Sequence, residues 1–300
     1  VAAVAPAERP GALRSWALAA RPRTLPAALA PVCVGTALAV ADAPPRWDAI
    51  VACCAVALLL QIAANFANDL FDFERGADTD ARLGPPRAVQ QGWISAARMR
   101  RAVVLTLGVA LVPGLWLVAE GGWPFAVAGA LAIAAALAYT GGPLPLGYVG
   151  LGEAAVFVFF GVVAVCGTQW VQSGGFSGVA LAASVAPGAL ASAILVVNNL
   201  RDVATDRVAG KRTLAVRFGA PAARVLYAGL LASAYATPVA LVASGTLGWP
   251  ALLPLASAPL AVRLTRRVAR TEGAALNPLL AETAKLEFVF CALFAGGILA

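Results

Sequence analysis

Apolar runs long enough to enter a bilayer recur along the whole chain, and they decide what it can fold into. Ala49 to Ala64 reads AIVACCAVALLLQIAA, with Gln61 as its one polar residue. In hydrocarbon every backbone N–H and C=O must be satisfied within the protein, which favours helices over exposed irregular chain. Of the 300 residues, 61% are hydrophobic and 12% charged, about half the charged share of an ordinary soluble domain. The chain is therefore read as a single all-α polytopic membrane bundle over 1–300, which opens with an N-terminal segment, 1–20, expected on the cytoplasmic side. That segment lacks the unbroken apolar core of a signal peptide.

Nine membrane helices are expected, near 24–41, 49–70, 102–119, 124–139, 153–172, 179–200, 222–243, 248–263 and 284–300. Charge supports the set. With nine crossings, alternate loops share a side, and Arg46 is the one Lys or Arg of 22 that falls opposite the rest. The positive-inside rule then puts the N-terminus in the cytoplasm and the C-terminus outside, in a cell inner (plasma) membrane. The outer loops are short Gly/Pro-rich turns. The inner loops are longer and carry most of the carboxylates, so any single site is expected at the cytoplasmic face.

The chain has no histidine, which excludes His-dependent triads, His haem ligation and His metal sites. The five cysteines lie in apolar runs without a CxxC pair and read as packing residues. Acid, base and metal chemistry falls to Asp, Glu, Asn, Tyr, Lys and Arg.

Two stretches concentrate those residues. NFANDLFDFERGADTD, from Asn65 to Asp80, closes the second apolar run, and NNLRDVATDRVAGKRTLAVRFG, from Asn198, closes the sixth. Asp69 and Asp72 are spaced i, i+3 and Asp202 and Asp206 i, i+4, spacings that put each pair on one face of a continuing helix. The motifs lie four helices apart, which suggests a duplicated four-helix unit with a ninth helix appended. Equivalent ends of such repeats share a side, so two acidic clusters can face each other across one cavity. Converging carboxylates repel when desolvated, and a divalent cation removes the conflict. Hard oxygen ligands select Mg²⁺ or Ca²⁺, and Mg²⁺ is usually shared between few carboxylates and substrate phosphates. The interleaved Arg75, Arg82, Arg87, Arg207, Lys211 and Arg212 suit a diphosphate. GKRTL lacks the upstream glycine spacing of a P-loop.

NDLFD together with DVATD resembles the paired Asp-rich motifs of the ubiquinone-type intramembrane aromatic prenyltransferase superfamily. RPRTLPAALAPVCVGTAL, NDLFDFERGADTDARLGPPRAVQQGWIS and YTGGPLPLGYVGLGE resemble its 1,4-dihydroxy-2-naphthoate polyprenyltransferase branch, the menaquinone-pathway enzymes. The likeness runs from Arg21 to about Gly219. It implies a lipid-open cavity and Mg²⁺-dependent transfer of a polyprenyl chain from its diphosphate to 1,4-dihydroxy-2-naphthoate, with loss of CO₂. It also implies a first metal-diphosphate site of Asn68, Asp69 and Asp72 and a second of Asp202 and Asp206 beside Asn199. Where many superfamily members place a third acid, this chain has Gly76, followed by Asp78 and Asp80. Asp78 matches the naphthoate branch. Where many have a lysine four residues after the tyrosine, this chain has Pro143 after Tyr139, so that role is unfilled or met by Lys211 or an arginine.

Asp72, Asp202, Lys211 and Tyr139 are the residues expected to act on the reacting groups. Arg23, Arg82, Arg87 and Arg212 are candidates for the diphosphate or the ring carboxylate, as is Arg21. Tyr148 and Glu153 are candidates beside the acceptor, and Asn65 lies one turn before Asp69. The partners expected are polyprenyl diphosphate, 1,4-dihydroxy-2-naphthoate and the bilayer, without nucleic acid. The alternatives are a relative acting on 4-hydroxybenzoate, homogentisate or haem, and a secondary transporter, which would carry its acids nearer the midplane on broken helices.

Overall fold

The computed structural model describes residues 10–41, 43–79 and 82–300; Asp80 and residues 1–9 of the N-terminal segment lie outside them. Among the described residues the chain is helical and has no strand. The elements are α1 (Ala12–Ala20), α2 (Leu25–Val40), α3 (Trp47–Glu74), α4 (Ala96–Gly121) and α5 (Trp123–Ala138). Then come α6 (Gly152–Ser173) and α7 (Gly178–Arg201), a short α8 (Val203–Val208), α9 (Leu214–Ala243), α10 (Ala258–Val268) and α11 (Asn277–Leu299). A 3₁₀ stretch, Trp249–Ser257, leads into α10.

All nine expected segments are helical. Six helices among the described residues are long and apolar enough to cross a membrane: α1–α2 taken together, α3, α4, α6, α7 and α9. The apolar helix α5 is shorter, at 16 residues. On α4, Leu105 and Val112 are 69% and 72% exposed. An apolar face this open is a lipid-facing surface rather than a wet one. The chain is an integral membrane protein.

α1 was not anticipated. Its Trp16 packs edge-on against Phe66 of α3, ring centroids 5.7 Å apart. α1 and α2 are separated by Arg21, which adopts a left-handed conformation (φ 53°, ψ 67°). Pro22 follows it, and a residue before proline is disfavoured in the right-handed helical region.

The largest core joins α2, α6, α7, α9 and α11 through Val34, Val165, Leu190, Tyr227, Phe290 and Phe294. Small residues permit close crossings, as usual between membrane helices. A Cβ added to Gly161 of α6 would lie 2.8 Å from the Ser184 carbonyl oxygen of α7, and one on Gly188 would lie 2.9 Å from the Phe157 oxygen. The same part of α6, Phe157–Val163, is a π-helical turn. Such wide turns are often found at functional sites, and this one sets Phe159 and Phe160 into the wall of the central cavity.

Arg46 is fixed at the end of α3 away from the acids. It pairs with Asp48 at 2.9 Å and with Glu120 at the end of α4 at 2.8 Å, and donates to the Val171 carbonyl of α6 at 3.2 Å. The opposite end of α3 carries Asp69, Asp72 and Glu74, with Glu74 ion-paired to Arg100 at the start of α4.

Candidate active site

A cavity of about 1200 Å³ opens between the helices. Its wall is apolar for most of its depth, with contributions from α2, α4, α5 and α6, and polar at the end where α3 and α7 finish. Asn68, Asp72, Asp202, Asp206 and Lys211 line that end together. The two acidic motifs thus meet across one cavity.

Asp72 is the hub. It is 2% exposed, a position at which a carboxylate needs partners. Its Oδ1 accepts from the Tyr148 hydroxyl at 2.8 Å and from Lys211 Nζ at 3.1 Å; its Oδ2 accepts from Arg87 Nη2 at 3.1 Å. Lys211 Nζ also lies 3.8 Å from Asp206 Oδ1, so one ammonium touches both motifs. It sits 4.7 Å from the Tyr148 ring centroid, and the Arg75 guanidinium 5.3 Å from it. The main chain secures this group, because the Arg212 amide donates to the Tyr148 carbonyl at 2.8 Å.

The second motif has its own cation. Arg201, 4% exposed, donates through Nε to Asp202 Oδ1 at 2.8 Å, through Nη2 to Asn198 Oδ1 at 2.8 Å and through Nη1 to Asn277 Oδ1 at 2.9 Å. Asn277 donates in turn to the Leu83 carbonyl at 2.8 Å. Gly84 fits against this guanidinium, since a Cβ there would lie 2.9 Å from Nη2. The loop after the first motif is in this way fastened to the second.

Burial raises two acids outside the long helices. Asp78 is pushed up to about 6, opposed by Arg82, which is hydrogen-bonded to it; Arg87 Nε lies 3.4 Å from its other oxygen. Asp206 is pushed up to about 7, opposed by Lys211. Burial and the Asp72 charge also raise the Tyr148 hydroxyl, keeping it protonated as a donor.

Not every expected residue reaches the cavity. Arg82, Arg87, Tyr139, Tyr148 and Asn199 line it. Asp69, Asp78, Glu153 and Arg212 do not; the Arg212 side chain is exposed. Three residues advance a helix about 60° short of a full turn, which is enough to separate Asp69 from Asp72. The carboxylate of Asp69 accepts the amides of Ala88 and Val89 at 2.9 and 3.1 Å. Glu153 Oε1 accepts from Asn199 Nδ2 at 2.9 Å. Arg23 lines the cavity yet is exposed. Asn65 lines it while donating to the Ala20 carbonyl at 2.9 Å and to Thr24 Oγ1 at 3.1 Å; Gln61 adds a bond to Thr24 at 3.2 Å. Thr24 bonds the Arg21 carbonyl through its amide at 2.9 Å and its hydroxyl at 3.0 Å. These polar side chains of α3 therefore hold the bend at Arg21, whose guanidinium lines the cavity with Nη2 buried and unpartnered.

Arg201, Asn198, Asn277 and Thr140, which donates to Asn68 Oδ1 at 3.0 Å, went unread in the sequence. Arg201 had a signal: it sits inside NNLRD, where a cation beside an acid predicts a pair. Asn277 had none, because its partners are far away in the chain.

A model of the UbiA prenyltransferase family matches residues 28–286. The chain belongs to the UbiA prenyltransferase family. It is 44% identical to a 1,4-dihydroxy-2-naphthoate octaprenyltransferase of Mycobacterium tuberculosis, covering 94% of this chain and 96% of that protein. It is 39% identical to the Escherichia coli protein of the same name, over 95% of each, and 36% identical to that of Haemophilus influenzae, over 96% of each. Among solved structures, an apo UbiA homologue from Aeropyrum pernix aligns with TM-score 0.68 at 17% identity, over 92% of this chain and 96% of that one. A UbiA homologue from Archaeoglobus fulgidus bound to GPP and Mg²⁺ aligns with TM-score 0.64 at 17% identity, over 95% and 99%.

The donors of this site fit Mg²⁺. Asn68, Asp72, Asp202 and Asp206 offer hard oxygens, two residues from each motif, around one space. Among the described residues no three acidic or thiol side chains form a self-sufficient cage. Mg²⁺ shared with substrate phosphates needs only a few protein oxygens.

Proposed function

We propose that this protein transfers a polyprenyl chain from polyprenyl diphosphate to 1,4-dihydroxy-2-naphthoate, releasing diphosphate and CO₂ and giving demethylmenaquinol for menaquinone synthesis. The observation that carries the reading is the joining of the two motifs by Lys211 at the polar end of an apolar cavity. The names of the similar proteins supply the acceptor.

Asn68 with Asp72, and Asp202 with Asp206, would hold Mg²⁺. When bound, the ion supplies positive charge against the departing diphosphate. Arg87, Lys211 and the Tyr148 hydroxyl surround Asp72 and are donors to the diphosphate oxygens beside it. Arg201 orients Asp202. The allylic C–O bond breaks with its electron pair on the diphosphate, and the carboxyl-bearing ring carbon supplies the pair for the new C–C bond. Loss of CO₂ returns a pair to the ring, so aromaticity is recovered without a dedicated protein base. The apolar wall, including Phe159 and Phe160, keeps water from the electron-poor carbon. The polyprenyl tail stays in an apolar setting, since each methylene moved into water would cost about 0.8 kcal/mol. Arg21 is the cation best placed for the ring carboxylate, because Arg87 is engaged by Asp72 and Asp78 and Arg23 is exposed.

The same reading takes α5, the Trp249–Val268 segment and α11 as further crossings, nine in all, with the cavity mouth and N-terminus in the cytoplasm and the C-terminus outside an inner membrane. The motifs' places at the ends of α3 and α7 support the duplicated four-helix unit. In membranes containing the protein, carboxyl-labelled naphthoate should release labelled CO₂ only with polyprenyl diphosphate and Mg²⁺ both present. Prenylation of 4-hydroxybenzoate with its carboxyl retained would exclude the naphthoate.

A further inference from the structure

Of the two acids in NDLFD, one faces the cavity and one faces away from it. Asp72 lines the cavity, as does Asn68 four residues earlier. Asp69 is 2% exposed and absent from the wall. Each of its oxygens is engaged by a backbone amide, Oδ2 by Ala88 at 2.9 Å and Oδ1 by Val89 at 3.1 Å. A carboxylate taking two amide hydrogen bonds is a charge-assisted clamp, and unlike Asp72 and Asn68, which also carry hydrogen bonds, this one has no place in the cavity wall from which to meet an ion.

The clamped turn is built into the protein. Ala88 and Val89 are 1% and 4% exposed and pack with Phe66, Leu70 and Met99, and the Ala88 carbonyl accepts the amides of Trp93 and Ile94 at 2.9 and 3.1 Å. The residue immediately before the clamp is Arg87, whose guanidinium reaches back to Asp72 at 3.1 Å and toward Asp78 at 3.4 Å. The path is short: Asp69 holds the 88–89 amides, the amides fix the Arg87 main chain, and Arg87 points its charge at Asp72 in the cavity wall.

We infer that Asp69 is a positioning residue for Arg87 and holds no metal, so that the first motif contributes Asn68 and Asp72 alone to the ion. This rests on the prenyl-transfer reading, and the test separates the two. Asp69→Asn leaves one acceptor and turns an NH₂ toward an amide hydrogen, which loosens the clamp at nearly constant volume.

In purified protein, Mn²⁺ binding in the presence of inorganic pyrophosphate is followed by electron paramagnetic resonance, and prenyl-transfer kinetics are run in parallel. Asp69→Asn is expected to bind Mn²⁺ like the unaltered protein while KM for the polyprenyl diphosphate rises about tenfold, the size of one charge-assisted hydrogen bond. Arg87→Ala is expected to raise the same KM, and Asp69→Asn with Arg87→Ala together to do no more than Arg87→Ala alone. Loss of Mn²⁺ affinity in Asp69→Asn to the level of Asp72→Asn, or multiplication of the two KM effects, overturns the inference. Should Asp69→Asn fail to fold, Asp69→Thr, with a smaller neutral acceptor, takes the same two measurements and the same outcomes decide. Absence of any pyrophosphate-dependent Mn²⁺ binding in the unaltered protein would instead count against the prenyl-transfer reading itself.

Discussion

Lys211 Nζ and Asp72 Oδ1 are 3.1 Å apart, although 139 positions separate them in the chain. This contact closes the two halves of the site on each other. It also explains why the loop after α8 is short and polar: the Lys211 amide bonds the Asp206 carbonyl at 2.8 Å, which turns the chain back toward α3. Replacing Lys211 with Met keeps the stem against Tyr148 and deletes the charge. The expected result is a fall in kcat of at least about a hundredfold, as for removal of one donor to a developing anion, measured as prenylated product formed per unit of folded protein.

Asp72→Ala and Asp202→Ala should each abolish detectable turnover while the protein remains folded by size-exclusion profile in detergent. On the proposed reading each removes a metal ligand, and each takes a carboxylate from neighbouring cations, Arg87 and Lys211 or Arg201. Full activity in both would show the motifs to be interfacial charge without a catalytic part.

The pH dependence follows from Asp206. Burial raises its carboxyl to about 7, above its ordinary range, so the folded protein binds the proton more tightly than the unfolded chain does. Its ionisation therefore costs stability fully above about 7, and that cost fades as pH falls toward 4. Asp206→Asn should raise the Tm of the metal-free protein at pH 8, with the gain shrinking steadily between pH 7 and 4. On the proposed reading proton and metal compete for the same carboxylate, so the Mg²⁺ concentration needed for half-maximal rate should rise as pH drops below about 7. A Tm difference constant with pH would contradict this account.

Arg21 is tested by the split between its two substrates. Arg21→Gln should raise KM for 1,4-dihydroxy-2-naphthoate about tenfold through loss of a charge-assisted contact and leave KM for the polyprenyl diphosphate unchanged. The reverse pattern would assign Arg21 to the diphosphate.

Orientation is open to labelling. Cysteines placed at Ser173 and Ser244 should react with an impermeant thiol reagent added to intact cells, and one at Ala209 should react only after the membrane is opened. Reversed labelling would turn the cavity mouth to the outside.

Much of the site was legible because its residues report on themselves. Asp72, Asp206 and Lys211 stand at the ends of apolar runs, where charge is unexpected unless it has a use, and the structure gathers them at one end of one cavity. The exception to the segregation of Lys and Arg has a place of its own, since Arg46 ties three helix ends together away from the acids. Residues whose roles depend on distant partners were less legible. Asp69 looks like Asp72 in the sequence, and only the position of the 88–89 amides tells them apart. Arg21 reads as one more interfacial cation until Gln61 and Asn65 are seen to hold the bend beneath it. The π turn of α6 left no trace in a run of Phe, Val and Gly, and it coincides with the close crossing with α7.

The bend at Arg21 also sets an order of assembly in the membrane. α1 and α2 are synthesised before α3, yet Thr24 is pinned by side chains 37 and 41 positions later. A nascent chain that ends before Gln61 has only Pro22 and the local bonds of Thr24 to the Arg21 carbonyl to hold the left-handed residue. The contacts from Gln61 and Asn65 can form only once α3 has entered beside its predecessors, so the N-terminal segment is completed by a helix that follows it out of the ribosome.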